Sequence, residues 1–372
     1  MGDGGNIEER LSEELASRAG GLRRLRENMP SIDFASNDYL GLSKVVEAVS
    51  PSSDYRPGSR LISGNHSSHL TLENWASSFW NSEAATFYPS GYMANNGIFS
   101  CLLKKGDTYL YDELIHASIR DGLRLSPARS HSFAHNDLED LEAKLKRAQG
   151  QVVVITESVF SMDGDLAPLE SMQKLISAHG AEWIVDEAHA TGVFGPEGRG
   201  CIDALNLRSS VLATIHTLGK GVGAHGALVL GSKVLKEYQV NFSRPFIYTT
   251  ATPPHHVQEV QDQLEKMKGA QNLRDSLWGL CEYFENQIDI TGLRSLMPRT
   301  ESPIKTLVLG DVEKVKETEE QLAQQGVFSK AILSPTVPKG TERLRICLHA
   351  YNTRKEVDVL LETVIAENLQ PS

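Results

Sequence analysis

The chain has 372 residues, a length that suits two domains better than one. Its 40% hydrophobic and 23% charged residues match a globular protein with a sizeable core. Lys plus Arg number 37 against 48 Asp plus Glu, and the resulting −11 excludes a general binder of nucleic acid or anionic membrane, although not a local basic pocket.

The opening "MGDGGNIEERL" is acidic and lacks the basic-then-apolar order of a secretory signal. Asn6 stands where a myristoylation signal needs Ser or Thr. Residues 7–28 predict a polar amphipathic helix carrying Arg23, Arg24 and Arg26, followed by a short strand and turn in "SIDFASNDYLGLS". From there helix and strand alternate. Helices over 68–81, 91–104, 116–125, 137–148 and 168–179 precede "AATFYPSG", "DTYLYD", "SHSFAHND", "QVVVITES" and "AEWIVDEAH", and "VLATIHTLG" and "GALVLGS" come last. Crossover units of this kind predict an α/β architecture with a mainly parallel sheet. The unbroken apolar run "QVVVIT" fits a strand covered on both faces.

A long helical stretch over 253–289 leads to a different texture, in which "PIKTLVLGD", helix 311–325, "VFSKAIL", "ERLRICLHA" and helix 353–367 predict a smaller α+β domain. The expected organisation is residues 1–43 packing with the small domain, a large cofactor-binding domain over 44–250, and a linking helix with the α+β domain over 251–372. No stretch reaches the roughly 20 apolar residues of a spanning helix. Cys101, Cys201, Cys281 and Cys347 lack metal-ligand spacing and read as reduced thiols of a cytoplasmic protein.

Three motifs mislead. "GKGVGAHG" contains Gly221-x-Gly223-x-x-Gly226, but a dinucleotide fingerprint opens a helix and these glycines run into the strand pattern "ALVLGS". A phosphate loop fails because Thr214 and Gly221 occupy positions that need glycine and a hydroxyl, which also removes the ATPase reading of "DEAH" at 186–189. His66 with His69, and His255 with His256, lack the carboxylate context of a zinc site, so no metal is expected.

What remains lies at strand ends. In an open parallel sheet, ligands bind beyond the carboxyl ends of the strands. "AEWIVDEAH" brings Asp186 and His189 there, "VVVITESVFSMDGD" brings Ser161, and "VLATIHTLGK" brings Thr217 and Lys220. "FYPSGYMANN" opens a helix at Ser90, Gly91 and Tyr92, whose free amides suit a phosphate. An amine, a buried carboxylate, an imidazole and a phosphate cup are the parts that hold pyridoxal 5'-phosphate. The lysine links to its aldehyde, and the carboxylate keeps the ring nitrogen protonated.

Long blocks carry a resemblance: "SNDYLGLS", "SGYMANN", "HASIRDGLRLS", "FAHND", "TESVFSMDGDLAPL", "VDEAHATGVFGPEGRG", "TLGKGVGAHGA", "IYTTATPP" and "PTVPKGTERLRI". They span residues 31 to 350, and the chain resembles the α-oxoamine synthases, pyridoxal-phosphate enzymes of fold type I, the aspartate-aminotransferase-like fold. The resemblance implies that Lys220 carries the cofactor, that Asp186 partners its ring nitrogen, and that His189 and Ser161 serve its phenolic oxygen. It implies that His116 stacks on the ring, that Gly91, Tyr92 and Thr217 contact the cofactor, and that Thr249 and Thr250 reach the phosphate of a neighbouring subunit in a homodimer. Arg345 corresponds to the arginine for the amino-acid carboxylate, and Thr336 and Arg23 to acyl-substrate contacts.

The branch it most resembles condenses L-alanine with a pimeloyl thioester, on coenzyme A or an acyl carrier protein, in biotin biosynthesis. Glycine C-acetyltransferase is the nearest alternative. 5-Aminolevulinate synthase and serine palmitoyltransferase are more distant, and a catalytically silent relative is the alternative outside enzymes. Two departures touch the acyl entrance: a short segment before "SIDFASNDYL", which suggests a missing strand of the small domain, and "YRPGSRLISGN" in place of a more glycine-rich loop.

Overall fold

Two kinds of strand build the protein, and their pairing separates them. The computed structural model describes residues 7–17, 30–45 and 56–368. The strands are β1 (Ile32–Asp33), β2 (Ala84–Tyr88), β3 (Thr108–Asp112), β4 (Arg129–Phe133), β5 (Val152–Glu157), β6 (Glu182–Asp186), β7 (Ala213–Thr217), β8 (Ala227–Gly231), β9 (Ile304–Val308), β10 (Val327–Phe328), β11 (Lys330–Ile332) and β12 (Arg343–Cys347).

Seven of them form one sheet in the order β2-β8-β7-β6-β5-β3-β4. β3, β4, β5, β6 and β7 run parallel, while β8 is antiparallel to both of its neighbours. The carboxyl ends of β2, β3, β5, β6 and β7 therefore share one edge. Val154, Ile155, Ile184 and Val185 at the centre are fully buried, and each such side chain contributes roughly 1.5–3 kcal/mol. Helices cover both faces, as two-sided burial requires.

The C-terminal texture forms separate sheets. β12 lies antiparallel between β11 and β9. β1 pairs in parallel with β10, tying residues 32–33 to the C-terminal part of the chain. The stretch "VFSKAIL", expected as one strand, divides because β10 pairs with β1 whereas β11 pairs with β12.

The long helix expected over 253–289 is two, Pro254–Gly269 and Gln271–Thr291. The break falls at Ala270 (φ −84°, ψ 37°), and Arg274 closes the junction: its guanidinium donates to Met267 O at 2.8 Å, which also takes the Ala270 amide, and to Lys268 O at 3.3 Å. The N-terminal helix is described over Ile7–Ser17. Arg23, Arg24 and Arg26 lie outside the described residues. Among the described residues no helix is long and apolar enough to cross a membrane.

Candidate active site

At the carboxyl edge of the large sheet a cleft of about 400 Å³ is lined by Gly91, Tyr92, Asn95, His116, Ser118, Glu157, Asp186, Ala188, His189, Thr217 and Lys220. Seven of the residues expected from the sequence thus meet in one place: Gly91, Tyr92, His116, Asp186, His189, Thr217 and Lys220.

Asp186 ends β6 and is buried. One carboxylate oxygen accepts from Asn95 Nδ2 at 3.0 Å, and the other from the Ala188 amide at 2.9 Å. Asn95 Nδ2 also donates to Ser118 Oγ at 2.9 Å, and Ser118 Oγ lies 2.7 Å from His116 Nδ1. Because the Ser118 amide also donates to that Nδ1, at 3.2 Å, the ring proton of neutral His116 belongs on Nε2. His116 caps the helix Ala117–Leu125. Burial lowers its pKa, with Asp186 opposing.

His189 is buried, with Nδ1 2.7 Å from the Tyr39 hydroxyl. Burial, and then the charge of Lys220, push its pKa well down, so the ring is neutral. Lys220 sits in the connection from β7 to β8, half-buried against the cleft. Burial pulls its ammonium below the usual lysine range, while Asp186 and then Glu157 push back. The surrounding glycines belong to the loop's packing. Gly223 has φ +67°, and a Cβ there would collide with the Ser43 amide. Gly91 likewise leaves no room for a Cβ against Thr217 Oγ1, which brings the first helical turn against the end of β7. Ser90 caps that helix, its Oγ accepting from Met93 N at 3.3 Å.

Glu157, Asn95 and Ser118 were not anticipated. Glu157 ends β5 directly opposite Asp186 in the β5–β6 register and accepts the His116 amide. Burial first, and Asp186 second, raise its pKa to about 8. Its signal was legible by the rule that found Asp186: an acid closing an apolar strand, here "QVVVITE". Asn95 and Ser118 had no comparable signal, since each is a small polar residue inside a helix pattern.

Other expected residues lie elsewhere. Ser161 follows β5 outside the cleft lining, and its carbonyl accepts from Arg345 Nε. Arg345, buried on β12, also donates to Asn37 Oδ1 at 2.9 Å. Thr249 and Thr250 line a separate hollow of about 260 Å³ that also takes in Arg60, His69 and Phe246. Thr336 is exposed on the loop between β11 and β12. His66 and His69 form a capping box at the start of the helix Ser67–Phe79.

The residues present fit pyridoxal phosphate. The cleft combines an amine, a fixed buried carboxylate and a helix N-terminus, and Asn95 Oδ1 is buried there without a hydrogen-bond partner.

A family model of class I and II aminotransferases matches residues 30–364. The chain belongs to that family. It is 39% identical over 341 residues to the 8-amino-7-oxononanoate synthase of Marinobacter nauticus, covering 90% of this chain and 86% of that one. Among solved structures it is similar to the 8-amino-7-oxononanoate synthase of Francisella tularensis, with a TM-score of 0.75, 29% identity, and 90% and 97% of the two chains covered. It is also similar to a high-resolution structure of SPT with PLP, with a TM-score of 0.87, 27% identity and 98% of each chain covered. The α-oxoamine synthase resemblance thus extends over the whole fold, which is fold type I.

Proposed function

We propose that this chain is a pyridoxal-phosphate C-acyltransferase that condenses L-alanine with a pimeloyl thioester, releasing carbon dioxide and the carrier thiol. The product is 8-amino-7-oxononanoate, in biotin biosynthesis. One observation carries the reading: Lys220, Asp186, His189 and His116 converge on a single cleft at the carboxyl edge of the sheet.

Bound there, the cofactor supplies an electron sink for the carbanion formed at the amino acid's α-carbon. Asp186 holds the proton at the ring nitrogen, its own orientation fixed by Asn95 and the Ala188 amide. Lys220 Nζ anchors the cofactor and moves the α-proton, a role that its lowered pKa favours. Neutral His189 and Ser161 would serve the phenolic oxygen, and His116 would pack on the ring. Gly91, Tyr92 and Thr217 contact the cofactor. Arg345 pairs with the amino-acid carboxylate, to which a fork of donors is suited. Thr336 and Arg23 are assigned to the acyl substrate.

The higher TM-score with SPT, 0.87 against 0.75, supports a second reading in which another amino acid and a longer acyl chain react on the same scaffold. Mass analysis of products separates the two. The purified chain is offered L-alanine, glycine or L-serine with pimeloyl, acetyl or palmitoyl thioesters, each on coenzyme A and on a carrier protein. The expected product is 8-amino-7-oxononanoate from alanine and the pimeloyl thioester. A dominant product from serine or glycine would overturn the assignment, and no product from any pair would favour a silent relative.

The same reading makes the protein a cytoplasmic homodimer with shared sites. Thr249 and Thr250 stand in their own hollow rather than beside Lys220, which suits a role toward a second copy. Mixing Lys220→Ala subunits with Thr250→Ala subunits is expected to restore activity well above either parent, because some hybrid sites contain neither substitution. Absence of complementation, with subunit exchange demonstrated by mass spectrometry of tagged chains, would count against sharing.

A further inference from the structure

We propose that His135 is a positioning residue for the substrate carboxylate: as imidazolium it fastens the loop over residues 160–165 to the large sheet, and that loop aims Arg345. The proposal rests on the reading of Arg345 given above.

His135 follows β4, and both of its ring nitrogens face carboxylates. Nδ1 lies 3.0 and 3.1 Å from the two oxygens of Asp112, and Nε2 lies 2.8 Å from Asp165 Oδ2. Neutral imidazole has one N–H, so two facing carboxylates call for the doubly protonated ring; Asn136 Nδ2, 3.3 Å from Nε2, donates instead to Asp165 at 2.9 Å. Burial opposes that charge, but hydrogen bonds donated to Asp112 and Asp165 raise the pKa to about 10.

The two acids belong to different parts of the molecule. Asp112 ends β3, is buried, and is held by the amides of Leu114 and Asn136 at 2.8 and 2.9 Å. Asp165 belongs to the loop. Its carbonyl accepts from Phe160 N, and its carboxylate also takes Asn136 Nδ2 at 2.9 Å. The Phe160 ring meets the imidazole edge-on, with centroids 4.4 Å apart.

On its other side the loop meets the C-terminal sheet. Strand alternation puts Arg343 and Arg345 on one face of β12, with Leu344 and Ile346 on the other. Arg343 pairs with Asp163, Arg345 Nε donates to Ser161 O, and Ser302 Oγ donates to Gly164 O at 2.6 Å. With Asn37 taking a second nitrogen, the Ser161 carbonyl fixes the guanidinium plane. The charge of Arg345 acts on both His189 and Lys220, which sets the guanidinium near the cleft. The order of support is therefore Asp112, His135, Asp165, Ser161, Arg345.

The test uses full-length holoenzyme carrying His135→Gln or Asp165→Asn. Each is expected to raise KM for alanine about tenfold, below the roughly hundredfold that a 1 Å misplacement can cost. Thioester KM and the visible spectrum of the bound cofactor should stay unchanged. The double variant should be no worse than the poorer single one, since the two residues act through one link. In the cofactor-free wild type, NMR of the His135 ring should show it protonated at pH 8, and Asp165→Asn should lower its pKa.

A neutral His135 at pH 8, an unchanged alanine KM, or equal loss toward both substrates would overturn the proposal. Failure of both variants to fold would also overturn it, making the clasp a folding element. If wild type forms no condensation product but the NMR result holds, the functional reading fails while the imidazolium link stands.

Discussion

Replacing Lys220 with alanine is expected to lower kcat by at least about 10³-fold, since general acid–base action alone contributes roughly 10²–10⁴ and the covalent anchor is lost with it. Lys220 is the one lysine among the residues lining the cleft. Other buried or half-buried lysines are committed elsewhere. Lys305 pairs with Glu285 at 2.5 Å, and Lys236 with Glu73 at 2.8 Å. Lys220 instead stands near two acids that set its charge without a direct ion pair, and burial keeps its pKa below the usual range. Borohydride reduction of wild-type holoenzyme, followed by peptide mapping, should fix the cofactor to the peptide containing Lys220. Label on a different lysine would remove Lys220 from its role. Retained turnover in Lys220→Ala would do the same for the proton transfer.

Asp186→Asn is expected to be nearly as damaging while leaving cofactor binding measurable. Opposite charge at contact shifts a pKa by about 1–3 units, at roughly 1.4 kcal/mol each, so losing it corresponds to about 10- to 1000-fold in kcat. The amide keeps the shape and can still accept from the Ala188 amide, while its NH2 then requires Asn95 to turn its unpartnered Oδ1 toward it. A second consequence appears at Glu157. Asp186 is the second cause, after burial, of the rise in Glu157 to about 8. Removing it should let Glu157 ionise at lower pH, which carboxyl NMR of the variant would detect as a downward shift. Wild-type turnover in Asp186→Asn would mean that this carboxylate does not control the ring nitrogen. An unmoved Glu157 would mean that burial alone sets its proton.

The sequence by itself determined the alternation of helices and strands, the two textures of the chain and the strand-end origin of the site. These follow from local physics. Apolar runs such as "QVVVIT" must be covered on both faces, and acids or amines at their ends then collect at one edge. Asp186, His189, Thr217 and Lys220 were readable for that reason. Glu157 obeys the same rule, yet its partnership with Asp186 depends on the β5–β6 register, and no local pattern records which residue of one strand faces which of another.

Only the tertiary structure decided the remainder. The reversal of β8 turns the glycine-rich run into a connection that presents Lys220, although the sequence alone excluded a nucleotide loop. One predicted helix becomes two at Ala270, where the buried guanidinium of Arg274 reaches back to the last carbonyls of the first helix, a contact that no local pattern records. His135 was visible in the sequence as an unremarkable member of "FAHND". It acquires a fixed charge only when the ends of β3 and the loop after β5 bring Asp112 and Asp165 to its two nitrogens. Such partners lie 23 and 30 residues away along the chain, so the energy that fixes them comes from pairing and burial rather than from any local propensity.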